Sequence, residues 1–226
     1  MNLIADAIVD YHSNNLKSKF MFYRNCLQKK YNGLKNEFDL KIYFREYSVL
    51  FPVEKKLIDL SYGNILDIGA CTGYYYPYLT DKGNITGIEI SPKLSIFYNK
   101  SNIDFIIGDI FKYKFTKKFD TIILIGNDIA LSGTIYNLKR LIKKFGGLLS
   151  DNGQILLIIN HIRTLKYWHV VFTPQYNGKF GIPAKYLFLN VYFFKKLVSK
   201  YGFQSSILNI DYSPGNPFYL VRLVKS

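Results

Sequence analysis

At 226 residues, with 49% hydrophobic and 17% aromatic side chains, the chain carries enough apolar material for one large core and is too short for two ordinary domains; a disordered segment is excluded. Thirty Lys and Arg against 16 Asp and Glu give a formal charge of +14, which favours an anionic partner such as RNA or a phosphorylated metabolite and equally fits a solvated, Lys-rich surface. Two cysteines, Cys26 and Cys71, exclude a disulfide framework or a cysteine metal cluster, and no uncharged run reaches the ~18 residues of a membrane span, so a cytoplasmic protein without a membrane partner is expected.

Residues 1–52 are expected to form an N-terminal helical appendage, because Ile4, Ile8 and Tyr11, then Phe20, Tyr23 and Leu27, recur at spacings of three and four. Pro52 introduces a further helix over 54–60. From there to residue 226 a single domain is expected. Its apolar, β-branched runs at 65–68, 85–90, 104–107, 121–125 and 154–159 alternate with helical stretches, one of them over 74–79. This alternation predicts βαβ units, and runs apolar on both faces predict a parallel sheet covered on both sides: an α/β, doubly wound fold. An aromatic insertion punctuated by Gly and Pro, 161–189, precedes a helix over 192–201 with Gly202 as its C-cap. Two last strands follow at 206–210 and 219–223.

The segment Ile65-Leu66-Asp67-Ile68-Gly69-Ala70-Cys71-Thr72-Gly73 runs from a strand into a tight turn. Glycine at 69 and 73 lets backbone approach a ligand, and free amides at the start of the following helix supply donors. Glu89 ends the second strand roughly 20 residues on, where a carboxylate can accept from both ribose hydroxyls. Asp109 follows the third strand, placed to accept from an adenine amino group between Ile90 and Ile110. Asn127 and Asp128 follow the fourth strand. Ligands of open parallel sheets bind at the carboxyl ends of the strands, so all of these converge on one crevice. Each residue also has a purely structural reading: Asp67 as a cap of the turn, Asp109 as a helix N-cap, Asp120 as a brace for the loop before the fourth strand.

These motifs, in this order, resemble class I S-adenosylmethionine (SAM)-dependent methyltransferases: Asp67-x-Gly69-x-(small)-x-Gly73, an acidic end to strand 2, Gly108-Asp109-Ile110, Phe119-Asp120, and the run from Gly146 to Gln154. Cys71 stands where the family most often has a middle glycine. The resemblance covers roughly residues 50–226. It implies strand order 3-2-1-4-5-7-6 with the last strand antiparallel. It further implies that Asp67, Gly69, Ala70, Cys71 and Gly73 hold the amino-acid end of S-adenosyl-L-methionine, Glu89 the ribose, Ile90, Asp109 and Ile110 the adenine, and that Asn127 borders the sulfonium.

Methyl transfer is an in-line displacement needing alignment more than a fixed catalytic group. Polar candidates near the methyl group are Asn127, Asp128 and His161, the last either as general base or as a loop histidine without a role. Asn127-Asp128 lacks a following Pro-Pro-aromatic run, which lowers the readings in which base or glutamine amides accept; by resemblance, Gly126-Asn127 points to a small-molecule N- or O-methyltransferase. The 161–189 insertion, with Arg163, Lys166, Tyr167, Trp168, His169 and Tyr176, is expected either to cap the acceptor or to pack its aromatics onto the domain, and Tyr43, Arg45 and Tyr47 to close the cofactor side. The alternatives are an RNA methyltransferase, motivated by charge; a catalytically silent partner subunit; and an NAD-dependent oxidoreductase, for which the turn lacks the middle and last glycines. His12, His161 and His169 have no paired ligand spacing, so no metal is expected.

Overall fold

In the computed structural model, which describes residues 2–26, 32–98, 103–213 and 215–226, the apolar runs pair edge to edge. They are β3 (Gly63–Ile68), β4 (Gly83–Glu89), β5 (Asp104–Ile107), β6 (Phe119–Leu124), β7 (Leu149–Asn160), β11 (Phe203–Asp211) and β12 (Phe218–Lys225). Their spatial order is β11-β12-β7-β6-β3-β4-β5. The pairs from β5 across to β7 are parallel, while β12 runs antiparallel to both its neighbours. Renumbered from β3, this is the 3-2-1-4-5-7-6 order.

Alternation of side chains along each strand splits the core into two layers. Leu66, Ile68, Ile122, Leu124, Ile155 and Leu157 pack with α3 (Ile135–Leu148) and α4 (Val191–Ser199). On the opposite face, Ile65, Ile123, Leu156 and Ile158 pack with α2 (Pro52–Leu60) and a group of tyrosines. Helix α3 buries Leu138, Leu141, Ile142, Phe145 and Leu148, a stripe at helical spacing. With about 1.5–3 kcal/mol for each large apolar side chain buried, these stripes decide which face of each element turns inward.

Two expectations are corrected. Residues 1–52 are not helical throughout: α1 (Leu3–His12) is, but Met21–Cys26 form β1 and Lys35–Glu37 form β2. Leu27 lies outside the described residues. Strand β1 pairs antiparallel with β8 (Tyr167–Tyr176) from Met21↔Gln175 to Cys26↔Val170, and β8 pairs with β10 (Ala184–Leu189) and the short β9 (Lys179–Phe180). A second, five-stranded sheet thus joins the N-terminal segment to the 161–189 insertion. Phe20 and Tyr23 have helical spacing, but a partner strand from far along the chain satisfies the backbone of this stretch instead, and pairing overrides local preference. Residues 74–79, likewise, hold a single 3-10 turn, Tyr76–Tyr78, in place of an α-helix. Pro77 lies inside that turn and gives no backbone donor.

Among the described residues, no helix is long and apolar enough to cross a membrane.

Candidate active site at the carboxyl edge of the sheet

Strand β3 ends on Asp67 and Ile68, and the chain then reverses through Gly69, Cys71 and Gly73, whose φ angles are 84°, 50° and 61°. Gly69 and Ala70 donate to the carbonyl of Ile88, locking the turn onto β4. Asp67 is fully buried. Its Oδ2 accepts the hydroxyls of Tyr75 at 2.6 Å and Tyr76 at 2.8 Å, and its Oδ1 has no partner among the described residues. A Cβ on Gly87, in β4, would sit 2.4 Å from the Tyr76 hydroxyl, so glycine there makes the room through which Tyr76 reaches Asp67. Tyr98 props the turn from outside, donating towards the carbonyls of Ala70 and Cys71.

Glu89 closes β4 with one carboxylate oxygen accepting from the amide of Cys71 at 3.3 Å and the other from Ser91 at 2.9 Å. Beside it Ile90 keeps 65% of its surface exposed, an apolar wall at the mouth of the crevice. Asp109 is half-buried; its Oδ1 accepts from Phe111 across a turn, and no helix follows for it to cap. Ile110 packs against the main core.

Beyond β6, Asn127 takes a left-handed conformation (φ 70°) and its Oδ1 accepts from the backbone amide of Asn160, tying the ends of β6 and β7 together. Asp128 then folds back over the glycine turn: a Cβ on Gly69 would lie 3.3 Å from its Cγ. Burial, then the charges of Asp67, Glu89 and Glu54, push the Asp128 carboxyl well above the usual range. Asp67 is pushed up to about 7 by burial, against the lowering effect of its two tyrosine hydrogen bonds. Glu89 is also raised by burial. The cation at this corner, Arg45, is already paired with Glu54 at 2.6 Å and bonded to Tyr74 at 2.7 Å. Three buried acids, with Asp128 raised by Asp67 and Glu89 and Asp67 by Glu89, and an Asp67 oxygen without a partner among the described residues, fit a ligand that brings positive charge. A cofactor with a sulfonium and an ammonium group meets that description.

His161 lines a cavity next to Asn160. Its ring is 6% exposed, Nδ1 accepts from the amide of Val191 at the start of α4, and burial with the charge of Arg163 lowers its pKa. Among the described residues no group of three or more His, Cys, Asp or Glu side chains is set to hold a metal ion.

The second sheet lies over this edge. Register places Phe22 and Arg24 of β1, Trp168, Val170 and Phe172 of β8 and Tyr186 and Phe188 of β10 on one face. Tyr186, its hydroxyl pushed up to about 12 by burial and by Asp128, and Tyr43, raised by burial and then Cys71, bring that face and the preceding strap against the glycine turn. The strap is fixed by Arg45 on Glu54 and by the Thr72 hydroxyl donating to the Tyr43 carbonyl. Sequence reasoning singled out Tyr43 and Arg45 here and missed Tyr75, Tyr76, Glu54 and Tyr186. The run Tyr74-Tyr75-Tyr76 was the available signal, since three successive aromatics cannot share one helix face. Tyr186 had none, because strand pairing alone brings it here.

Residues 66–157 match a family described as a methyltransferase domain. The match runs from β3 through the glycine turn to β7. Its architecture is shared with a SAM-dependent methyltransferase from Bacteroides fragilis solved with S-adenosyl-L-homocysteine: 21% identity, 99% of this chain and 94% of that one covered, TM-score 0.84. Similar too are the sugar N-methyltransferase KedS8 from Streptoalloteichus sp. (12% identity, 84% and 94% covered, TM-score 0.59) and the glycopeptide N-methyltransferase MtfA solved with SAM (16%, 81% and 90%, 0.61). At these identities the likeness is one of fold. No curated protein matches the sequence.

Proposed function

We propose that this methyltransferase domain transfers the methyl group of S-adenosyl-L-methionine to a nitrogen or oxygen atom of a small molecule. The observation that carries the reading is the roofed cleft: the second sheet covers the carboxyl edge and leaves, beside Asn160, a cavity of about 360 Å³, a size suited to a small molecule. When bound, the cofactor supplies an electrophilic methyl group on sulfur. Asp67, with the turn of Gly69, Ala70, Cys71 and Gly73 around it, holds its amino-acid end; the amides of Ala70, Cys71 and Gly73 are not free donors, since they already donate to Ile88, Glu89 and Ala70. Glu89 accepts from the ribose, and Ile90, Asp109 and Ile110 border the adenine. Asn127 and Asp128 line the passage to the acceptor. Asp128, folded over Gly69 next to Asn127, is the side chain assigned to take the acceptor's proton; His161 keeps one ring nitrogen on α4. In this assignment the domain spans 53–226 and the 161–189 insertion caps the acceptor together with β1 and β2. The names of KedS8 and MtfA, an N-methyltransferase of a sugar and one of a glycopeptide, support a nitrogen acceptor. The expected compartment is the cytoplasm, where the thiols of Cys26 and Cys71 stay reduced.

The test is transfer of labelled methyl from SAM in a cell extract, followed by separation of RNA, protein and small molecules. Label in the small-molecule fraction supports the proposal. Label in RNA would make the +14 charge the substrate handle and overturn it.

A further inference from the structure

The two halves of the cleft carry opposite charge. At the glycine turn stand Asp67, Glu89 and Asp128. Past the Asn127–Asn160 hydrogen bond, the roofed cavity is lined by Arg24 of β1, Arg163 of the loop after β7, Trp168, Phe188 and the amides of Asn160 and Asn216, and no acidic residue is among the described residues lining it. Arg24 reaches it from over the Phe172 ring, 5.5 Å from the centroid, so the roof orients its guanidinium. Trp168 and Phe188 meet edge to face, with centroids 6.0 Å apart. Cationic forks beside an aromatic wall suit a flat or ring-bearing anion: the guanidinium takes a carboxylate or phosphate in paired hydrogen bonds while the ring lies on the aromatic side chains. A protonated amine entering the same cavity would be repelled.

We infer that the acceptor is a ring-bearing anion, a carboxylate or phosphate ester, whose charged group is held by Arg24 and Arg163 while its nucleophilic atom points past Asn160 towards Asp128. This rests on the methyltransferase reading and names its substrate class. The cleft then sorts its two ligands by charge, the cationic cofactor at the acidic end and the anionic acceptor at the basic end.

The experiment is calorimetric titration of the full chain saturated with S-adenosylhomocysteine, using phenyl phosphate, benzoate and benzylamine as probes. One or both anions should bind, weakening as salt is raised, and benzylamine should not. Tighter phenyl phosphate would identify a phosphate ester, tighter benzoate a carboxylate. Arg163→Gln, on the exposed loop, should weaken the anion about tenfold, the loss of one charge-assisted hydrogen bond, and leave S-adenosylhomocysteine affinity unchanged. Arg24→Gln should do the same, with circular dichroism checking that β1 stays paired. Benzylamine binding as tightly as the anions, no anion binding by protein that holds S-adenosylhomocysteine, or an unchanged affinity in Arg163→Gln would each overturn the inference. Failure of S-adenosylhomocysteine itself to bind would instead sink the proposed function, while the same anion titrations on free protein would still score the cavity.

Discussion

The floor of the cleft and its roof are built in opposite ways. The floor is local: Asp67 receives Tyr75 and Tyr76 from eight and nine residues along the chain, and Glu89 receives Cys71 from 18. The roof is assembled from the two flanks of the fold, with Tyr23 donating to Gln175 across 152 residues. The floor is polar, buried and short of positive charge. The roof is an aromatic surface in which Phe22, Phe172, Tyr186 and Phe188 pack edge to face or tilted. A short polar turn on parallel strands serves as a preformed binding corner. A sheet closed by a long loop pays more entropy for its contacts and is free to vary with the acceptor.

The contrast predicts that floor variants lose cofactor and roof variants lose acceptor. The largest effect belongs to Asp67→Ala. It strips two buried phenol hydroxyls of their partner, about 2 kcal/mol in urea unfolding, and abolishes the heat of S-adenosylhomocysteine binding. A normal isotherm from the folded variant would break the assignment of the floor.

Next comes pH. Asp67, raised from 3.8 to about 7, binds its proton in the folded state across that window while the unfolded chain has released it. Its contribution to stability is therefore complete below pH 3.8, shrinks as pH rises from there and is lost above about 7, so the unliganded protein should lose stability from this group between about pH 4 and 7. Binding a cationic cofactor to the ionised carboxylate expels that proton. Affinity should accordingly climb by up to about tenfold per pH unit below 7 and level off above it, as measured by calorimetry in buffers of different ionisation heat. A flat profile would mean that Asp67 does not answer to the ligand's charge.

In the roof, Phe172→Ala removes a half-buried ring from among Phe22, Tyr186 and Phe188 and should cost about 1–2 kcal/mol, below the range for a fully buried Phe. Cofactor affinity should stay within twofold while kcat/KM for the acceptor falls. Equal loss of both would show that floor and roof are one unit. The smallest effect is expected at Lys19→Ala, which removes an exposed pair with Glu37 at 2.6 Å near the β1–β2 end, worth under about 0.5 kcal/mol in thermal melts.

Much of the floor was legible because it follows from short-range rules. Apolar β-branched runs marked the seven strands, their order followed from the family resemblance, and Gly69 and Gly73 marked the reversal where φ turns positive. Asp120, read as a brace for the loop before the fourth strand, sits in β6 and accepts from the Asn64 amide and the Ser150 hydroxyl. The site's inner wiring was less legible. Tyr74–Tyr76 read as helix because the six residues after a βα turn usually are, and only the buried Asp67 explains why the tyrosines turn inward. Asn127 and His161 stood in the sequence as polar candidates, yet each carries a structural hydrogen bond, to Asn160 and Val191, that spacing could not foretell.

By itself, then, the sequence determined the parallel sheet, the glycine turn and the order of acidic residues along the carboxyl edge, since each depends on a few neighbouring residues and on burial periodicity. Tertiary structure decided the roof, the closing of Asp128 over Gly69 and the separation of charge along the cleft. Those depend on pairing between segments too distant for local spacing to report, where backbone hydrogen bonds and aromatic packing outweigh the helical pattern that the N-terminal residues display on their own.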